Sequence, residues 1–230
     1  METYDYIMKE IAHIKTDFPD KFGIPRQSGL VPELTGEIIF QKEYRNPDAI
    51  RGLSDYSHIW ILWKFSKAER EEWSPTVRPP RLGGDVRMGV FATRSPFRPN
   101  PIGLSVVRLD CIELREGVGP VLHVAGADLM DNTPIYDIKP YLPHIDAVPE
   151  ARGGFAEKFT DYGLEVDFPP ELLKIIPENK RTALYKVLAN DPRPSYHNDE
   201  NRIYGMYFAD FNIKFSVVNN KVLVKEVNNF

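Results

Sequence analysis

The sequence contains a single cysteine among 230 residues, and this scarcity excludes two kinds of site. Cys111 has no second cysteine with which to form an internal disulfide or a cysteine-pair metal site. Because it lies in an apolar stretch, we expect a buried strand thiol. The five histidines never fall three to five residues apart, so a local zinc-binding pair is also absent. We predict no metal site.

Long apolar runs and a strong charge imbalance are missing as well. No run approaches the roughly 20 apolar residues that a membrane helix needs, which excludes a membrane-spanning protein. The first ten residues, METYDYIMKE, carry acids and tyrosines where a signal peptide would have a basic patch and an apolar core. The net charge of −4 is typical of neither a basic tail protein nor an acidic solvating one. We expect a cytoplasmic protein.

The common glycine and serine motifs of enzymes are absent too. The sequence has no G-x-x-x-x-G-K-S/T and no G-x-G-x-x-G after a strand, so neither a P-loop nor a Rossmann cofactor site is indicated. No serine lies in a G-x-S-x-G elbow. Any chemistry must therefore use a less common arrangement.

Proline, in contrast, is abundant, with 20 residues in the chain. Each interior proline costs a helix about 3 kcal/mol, so a helical bundle is disfavoured. The middle region reads as short strands rich in β-branched and aromatic residues, with no amphipathic helix between them. Such a pattern indicates a barrel or a sandwich within a mainly β fold. The predicted strands cover 36–41, 58–65, 86–92, 102–109 and 121–127.

The character of the chain changes after Pro149, which places the end of a first domain near 150. Glycines and a Pro-Pro pair at 151–170 predict a linker or loop. Residues 171–230 predict a smaller α+β domain. Apolar spacing indicates helices at 171–176 and 178–188, and alternation indicates strands at 203–208, 211–218 and 221–227. Asn219-Asn220 is typical of a hairpin turn.

Arginine is concentrated in one part of this acidic chain. Six arginines and one aspartate lie between 76 and 108, with no lysine. Repeated arginine is typical of bidentate recognition of carboxylate or phosphate. Within this region, residues 92–103 hold three prolines, which stiffen the loop before any ligand binds. The alternative is an ordinary rigid turn whose arginines pair with surface acids.

A second constellation is acidic. Asp128, Asp131 and Asp137 lie within ten residues and could bind a hard metal, supply a base or accept hydrogen bonds from a ligand. A metal is disfavoured because the segment offers few further oxygen ligands. Asp131-Asn132 could equally form a hairpin turn capped by its own side chain.

Two strings in these regions resemble a known family. GVFATRSPFRPNPIGLS at 89–105 and DLMDNTPIYDIKPYLP at 128–143 are similar to the paired signature of the TsaA-like β-barrel methyltransferases, the TrmO family. Further similar segments stand at 21–30, 51–65, 75–89, 188–196 and 203–215. The resemblance therefore extends over nearly the whole chain.

The resemblance implies a fold and an activity. The fold would be a small N-terminal β-barrel at 1–150 with a smaller C-terminal α+β domain, forming a homodimer with the cofactor near the subunit interface. The activity would be S-adenosylmethionine-dependent methylation of N6 of N6-threonylcarbamoyladenosine at position 37 of tRNA. The alternatives are a non-catalytic RNA-binding or regulatory module on the same barrel, or a methyltransferase with a different acceptor. Loss of Arg94 or of the paired aspartates would favour the non-catalytic module, and all are present.

The resemblance also assigns cofactor contacts. They fall on Pro25, Arg26, Gln27, Ser66, Lys67, Arg94, Leu104, Asp128, Leu129, Met130 and Asp131. Relatives carry histidine and glutamine at the positions of Ser66 and Lys67, so only backbone contacts would carry over there. Asn132 stands in place of a glycine, a mild departure because asparagine tolerates the left-handed conformation.

For the reaction we expect direct in-line displacement, with substrate N6 attacking the sulfonium methyl. That nitrogen belongs to a urea and is a poor nucleophile until its proton leaves, so a nearby acceptor would help. Asp137 and Asp131 are the candidate catalytic residues. Arg87, Arg98 and Lys139 are candidate contacts to the tRNA backbone or the threonyl carboxylate, or else structural ion pairs on the barrel rim.

Overall fold

A computed structural model describes residues 7–68, 72–160, 162–193 and 199–230. Six antiparallel strands close into a barrel with the order β1-β2-β7-β6-β3-β8. This confirms the mainly β fold with an N-terminal barrel. The barrel strands are β1 Ala12–Lys15, β2 Thr35–Phe40, β3 His58–Lys64, β6 Ile102–Arg115, β7 Gly119–Ala125 and β8 Thr133–Pro140.

Strict alternation along β3 shows how the barrel fills its interior. Ile59, Ile61 and Trp63 are buried, whereas the side chains between them are only half-buried. Successive strand residues point to opposite faces, so the buried set lies inside the barrel and the other set lies on its outer wall. This alternation defines which predicted site residues can meet.

Two short strands lie outside the barrel, and here the predicted strand at 86–92 was wrong. β5 covers only Met88–Gly89 and pairs with β4, Thr76–Val77, after which a 3-10 turn covers Val90–Ala92. Because its partner strand is also two residues long, the segment cannot extend as a ladder. The arginine-rich region is therefore mostly loop.

The expectation of a buried thiol at Cys111 was also wrong, since Cys111 is exposed. The register between β6 and β7 shifts between Leu109 and Cys111. Such a bulge inserts one extra residue and reverses the alternation that follows it. Leu109 is buried before the shift, and Cys111 faces outward after it.

A four-stranded sheet with the order β10-β11-β12-β9 forms the C-terminal part. Its strands are β9 Glu165–Asp167, β10 Tyr204–Phe208, β11 Phe211–Val218 and β12 Lys221–Asn229. The helices are α1 Pro143–Asp146, before this part, and α2 Pro170–Leu173 and α3 Glu178–Ala189 within it. In the described ranges, no helix is long and apolar enough to cross a membrane.

Four predictions for the chain after residue 150 have different outcomes. α3 confirms the predicted helix at 178–188, whereas the helix predicted at 171–176 ends at Leu173. Asn219 and Asn220 both have left-handed φ values, 49° and 59°, in the hairpin between β11 and β12. The interval 151–170 is more structured than the predicted linker, because it contains a 3-10 helix, Gly154–Phe159, and β9, which pairs with β12.

The chain between β1 and β2, residues 16–34, packs against the C-terminal part, and we call it the excursion. Phe18, Val31 and Leu34 are buried in the same apolar cluster as the C-terminal sheet and α3. The Phe18 ring meets Phe208 edge-on at 5.5 Å. The excursion carries the triplet Pro25 to Gln27, so the C-terminal core supports a loop assigned to cofactor binding.

Candidate cofactor and substrate site

The excursion meets the turn after β7 at Gly126. Gly29 N–H donates to the carbonyl of Gly126 at 2.9 Å, and Gly126 N–H donates to the carbonyl of Leu34 at 2.7 Å. Gly126 has φ 79°, a left-handed conformation that favours glycine, and it lies in van der Waals range of Gly29. The two loops therefore lie side by side.

Asp128 occupies the centre of this junction. Its Oδ1 accepts a hydrogen bond from Ser105 Oγ at 2.6 Å, and Trp63 Nε1 donates to the same Ser105 Oγ at 3.0 Å. Burial raises the pKa of Asp128, while the hydrogen bonds from Ser105, from its own backbone and from the backbone of Ser28, together with the charge of Arg94, oppose that rise. Ser105 therefore holds the carboxylate directly, and the backbone of Ser28 and the charge of Arg94 lie near it.

Arg94 closes the junction from the segment between β4 and β6, residues 78–101, which we call the arginine-rich loop. Its Nη1 donates to Gln27 Oε1, and Gln27 Nε2 donates to the carbonyl of Arg26. The Arg94 residue is exposed, so its guanidinium can bind a ligand as well. The structure thus brings together Gln27, Arg94 and Asp128, three of the predicted cofactor residues.

Two further predicted cofactor residues, Leu129 and Met130, lie in the turn between β7 and β8. Leu129 is fully buried, and its carbonyl accepts from Thr16 Oγ1 at 3.0 Å. The Met130 carbonyl accepts from Thr133 Oγ1 at 2.7 Å. These two residues offer a ligand little beyond their backbone.

Asp131 caps the turn and ties it to β1. Its Oδ1 accepts from Thr16 N–H at 3.1 Å, and its Oδ2 pairs with Lys15 Nζ at 3.4 Å. Asn132 follows with φ 59° and donates to Asp131 Oδ2 at 2.7 Å. Asparagine thus adopts the left-handed conformation that a glycine would supply.

Leu104 and Asp137 lie on the outer wall of the barrel. Leu104 pairs with Leu62 across β6 and β3, and Leu62 pairs with Asp137 across β3 and β8. Leu104 is 55% exposed, and Asp137 pairs with Lys139 Nζ at 2.8 Å. Ser105, which holds Asp128, is only 1% exposed and points inward. Asp128 itself lies in the turn between β7 and β8, outside the barrel strands.

Ser66 and Lys67 follow β3 in the chain, and in space this segment lies beside the last residues of the arginine-rich loop. Phe65 N–H donates to the carbonyl of Pro101 at 2.9 Å, and Ser66 N–H turns back to the carbonyl of Lys64. Ser66 is half-buried and Lys67 is exposed. No side-chain contact fixes either residue among the contacts described, which fits a role through the backbone.

The predicted substrate contacts are dispersed. Arg87 Nη1 lies 3.4 Å from Thr76 Oγ1, and Arg98 Nη1 donates to the carbonyl of Thr93 at 3.2 Å, which closes the loop on itself. Among the ion pairs of the described ranges, neither arginine has a carboxylate partner, whereas Lys139 is paired with Asp137. The rim ion-pair alternative thus fits Lys139 best.

Pro25 and Arg26 face the C-terminal part instead of the Asp128 junction. Pro25 is buried, and Arg26 Nη2 donates to the carbonyl of Arg193 at 3.2 Å. Burial lowers the pKa of Arg26, as does the neighbouring charge of Arg81. The Arg26 side chain and the Gln27 side chain thus have different surroundings.

Sequence reasoning missed the supports of Asp128. Ser105 holds the carboxylate and Trp63 holds Ser105, while the backbone of Ser28 lies close enough to oppose the rise that burial causes in the pKa of Asp128. One signal was available for Ser105, because it is a polar residue at an inward position of the alternating strand β6. The contact from Ser28 depends on how the excursion folds and has no local signal. Residues 194–196, part of a segment that resembles the family, lie outside the described residues.

Comparisons with known proteins identify the family of this chain. The model of the tRNA-methyltransferase O N-terminal domain matches residues 13–147, and that of the TrmO C-terminal domain matches residues 161–230. The chain belongs to the tRNA-methyltransferase O family. The family resemblance noted in the sequence is thereby confirmed.

Named relatives and solved structures agree with this family. A tRNA (adenine(37)-N6)-methyltransferase of Escherichia coli K12 is 42% identical over 217 residues, covering 91% of this chain and 92% of the relative. A putative S-adenosylmethionine-dependent methyltransferase RcsF of Pseudomonas aeruginosa PAO1 is 39% identical, covering 88% and 89%. A crystal structure of TrmO from Pseudomonas aeruginosa superposes with a TM-score of 0.78 at 32% identity, covering 98% of this chain and all of that one.

Proposed function

We propose that this protein transfers the methyl group of S-adenosylmethionine to N6 of N6-threonylcarbamoyladenosine at position 37 of tRNA. Membership of the tRNA-methyltransferase O family carries the coarser part, an S-adenosylmethionine-dependent tRNA adenine-37 N6-methyltransferase. The observation that supports a working site is the junction of Gln27, Arg94 and Asp128, where Arg94 donates to Gln27 and its charge lies close enough to oppose the rise that burial causes in the pKa of the Asp128 carboxyl. That adenosine 37 carries a threonylcarbamoyl group when it is methylated is the finer part of the proposal.

The residues of the junction fit the cofactor chemically. S-adenosylmethionine supplies a methyl group on a positively charged sulfur, together with a carboxylate, an ammonium, ribose hydroxyls and adenine. Arg94 would bind the carboxylate, because a guanidinium forms charge-assisted hydrogen bonds to it. Asp128 would accept from the ammonium or from hydroxyls, since an ionised carboxylate is an acceptor only. Leu104 offers an apolar wall on the outer face.

Removal of the proton from N6 requires an acceptor, and we assign this role to Asp137. Asp131 already accepts from Thr16, Lys15 and Asn132, which leaves it less available. Apart from its own chain neighbour Ile138, Asp137 is bound in the described contacts by Lys139. Lys139 can donate to a substrate anion instead of to Asp137. Arg87 and Arg98 are proposed contacts to the tRNA backbone.

The proposal also includes a homodimer in the cytoplasm. Several large apolar side chains are exposed near the arginine-rich loop, including Phe91 at 72%, Trp73 at 53% and Leu104 at 55%. The rings of Trp73 and Phe91 lie 6.2 Å apart, and an exposed apolar patch is typical of a protein interface. A second copy packed here would bring its own loop to the outer face that carries Leu104 and Asp137. Light scattering checks this, and a mass of one 26.4 kDa chain would contradict it.

The decisive experiment uses purified protein, labelled S-adenosylmethionine and two tRNA preparations. One tRNA carries threonylcarbamoyladenosine at position 37, and the other has unmodified adenosine there. Mass spectrometry of the digested nucleosides should show one added methyl group on the modified nucleoside only. Methylation of unmodified adenosine would overturn the finer proposal, and no methylation of either tRNA would overturn the activity.

A further inference from the structure

Two arginines from distant parts of the chain line one small cavity between the excursion and the C-terminal part. Arg26 comes from the excursion, and Arg81 comes from the arginine-rich loop. The C-terminal part supplies Val187, Asn190 and Asp191 to the same cavity. The cavity is thus built from three segments that lie far apart in the sequence.

One carboxylate, that of Asp191, faces this cavity, and its oxygens already accept hydrogen bonds from other side chains. Asp191 is 4% exposed, and its two oxygens accept from Arg193 Nε at 2.8 Å and Nη2 at 3.0 Å. Tyr162 also donates its hydroxyl to Asp191 Oδ2 at 2.6 Å. The charge of Asp191 is therefore balanced by Arg193.

Arg26 and Arg81 make only neutral contacts. Arg26 donates to the carbonyl of Arg193 at 3.2 Å, and Arg81 donates to the carbonyl of Phe159 at 3.1 Å. The Arg81 guanidinium also lies 5.7 Å from the Phe159 ring centroid and 5.8 Å from that of Tyr162. Over the described ranges, neither arginine has a carboxylate within ion-pair distance. Each guanidinium retains unused donors, since arginine carries five N–H groups.

Burial and the like charge of Arg81 lower the pKa of Arg26, and the nearby carboxylate of Asp191 offsets them only in part, so a further anion would stabilise the pair. Both arginines are half-buried, so water screens their repulsion less than on an open surface. The lowered pKa of Arg26 reflects the same burial and the same neighbour. The fork of a guanidinium matches the oxygens of a phosphate group and can bind two of them together.

We propose that Arg26 and Arg81 bind one phosphate group of the tRNA backbone. The proposal rests on the proposed function, because it assumes a tRNA substrate. Arg26 directly precedes Gln27, which contacts Arg94 at the cofactor junction. A phosphate held by Arg26 would therefore lie one residue along the excursion from the cofactor junction, on the side of the C-terminal part. The cavity would also link tRNA binding to the C-terminal part.

The test replaces Arg81 with glutamine and measures tRNA affinity over a series of salt concentrations. Each lost phosphate contact should lower the slope of log affinity against log salt by about 0.7 to 1. At low salt we expect the affinity of Arg81→Gln for tRNA to fall about ten-fold, with affinity for S-adenosylmethionine unchanged. Arg81→Lys keeps the charge and should retain most of the slope. Arg152→Gln, which removes an exposed arginine with no described partner, is the matched control and should resemble the wild type.

A second measurement separates the RNA backbone from a free anion. Thermal unfolding of the wild type and of Arg81→Gln is compared in phosphate and in chloride at equal ionic strength. A ligand that binds the native state raises the unfolding temperature, so phosphate should stabilise the wild type more than the variant. If phosphate acts this way but the tRNA salt slope of the variant is unchanged, the site takes a free anion and the RNA assignment is overturned. If neither measurement distinguishes the variant, no phosphate site exists.

Two further outcomes bear on the same cavity. A loss of affinity for S-adenosylmethionine in Arg81→Gln, with tRNA binding intact, would assign the arginines to the cofactor carboxylate and overturn the proposal. Failure of the proposed function would look different, because the wild type itself would then not methylate tRNA. A wild type that methylates tRNA while Arg81→Gln binds it with an unchanged slope would overturn the phosphate site alone.

Discussion

Asp128 and Asp131 show how single residues of one turn acquire different roles. Asp128 lies where burial works against its charge, and it accepts a hydrogen bond from Ser105 while Arg94 lies nearby. Asp131 accepts from the end of β1 and from its own neighbour, and it fixes the turn that presents Asp128. Asp128 is therefore suited to binding a ligand that displaces water, whereas Asp131 is suited to holding the turn in place.

Replacing Asp128 with asparagine tests the first role. We expect the affinity for S-adenosylmethionine to fall about ten-fold or more, because a hydrogen bond to a charged acceptor is lost. Isothermal titration calorimetry measures this. Asp48→Asn, which changes an exposed aspartate paired with Arg51 between β2 and β3, is the control and should retain the affinity. An unchanged affinity in Asp128→Asn would remove Asp128 from the cofactor site.

The pH dependence of stability gives an independent check on Asp128. Its folded pKa lies above the ordinary value of 3.8, so over the interval between the two values the unfolded chain loses this proton first. The wild-type free energy of unfolding should therefore carry a component that falls as pH rises through that interval. Asp128→Asn lacks this component, so the stability of the variant relative to the wild type should rise over the same range. Urea unfolding at several pH values measures it, and a difference that moves the opposite way would contradict the assigned shift.

Asp137 is the residue whose role in catalysis we predict most directly. Asp137→Asn should slow single-turnover methyl transfer by about 10²- to 10⁴-fold, the usual contribution of a general base, with little change in affinity for S-adenosylmethionine. Asp131→Asn should instead reduce stability and affect the rate less. Rapid-quench measurements with saturating cofactor distinguish the two variants. Equal rates for Asp137→Asn and the wild type would show that Asp137 is not the base.

Among the strands, β3 and β6 are joined by a close contact that supports the site. Gly103 lies opposite Trp63, and a Cβ atom at Gly103 would overlap the Trp63 indole. Trp63 in turn donates to Ser105, which holds Asp128. The absence of a side chain at Gly103 therefore leaves room for Trp63 to donate to Ser105, which in turn donates to Asp128.

Gly103→Ala should consequently destabilise the protein by about 1–3 kcal/mol, the usual cost of overpacking a buried site. It should also weaken cofactor binding, because Trp63 must move away from Ser105. Gly89→Ala is the matched control, since a Cβ atom there meets open space and its φ of −57° suits any residue. Chemical denaturation and calorimetry measure both effects. The same stability for Gly103→Ala and Gly89→Ala would contradict the close contact.

The elements also show which parts of the fold a sequence can predict. β3 follows strict alternation, and α3 has regular apolar spacing, so local pattern was sufficient for both. β8 escaped notice because Pro134 and Pro140 within it resemble turn signals, although it lies between β1 and β3 and closes the barrel. Cys111 was misplaced because a bulge changes the alternation without any mark in the sequence.

The molecule as a whole is organised around the excursion. Its loop supplies predicted cofactor residues to the barrel, yet its apolar side chains are buried with the C-terminal core. No pattern in the sequence predicts this sharing, since it depends on contacts between segments more than a hundred residues apart. The family motifs identified the cofactor residues, whereas only the tertiary structure shows what supports them.

Phe18 is the residue through which this coupling can be tested. Its ring packs on Phe208 in the C-terminal core, and its carbonyl accepts from Asp131 N–H at 2.8 Å in the cofactor turn. Phe18→Ala should cost about 3–5 kcal/mol because it leaves a cavity in a buried cluster.

Because the backbone of Phe18 also anchors the turn, the affinity for S-adenosylmethionine should fall in the same variant, measured below its unfolding temperature. Val222→Ala is the control, as it removes a fully buried side chain from the same core on β12. That variant should lose stability but keep its affinity. Equal affinities in the two variants would mean that the C-terminal core stabilises the molecule without supporting the cofactor turn, because both cavities weaken the core and only one lies at the excursion.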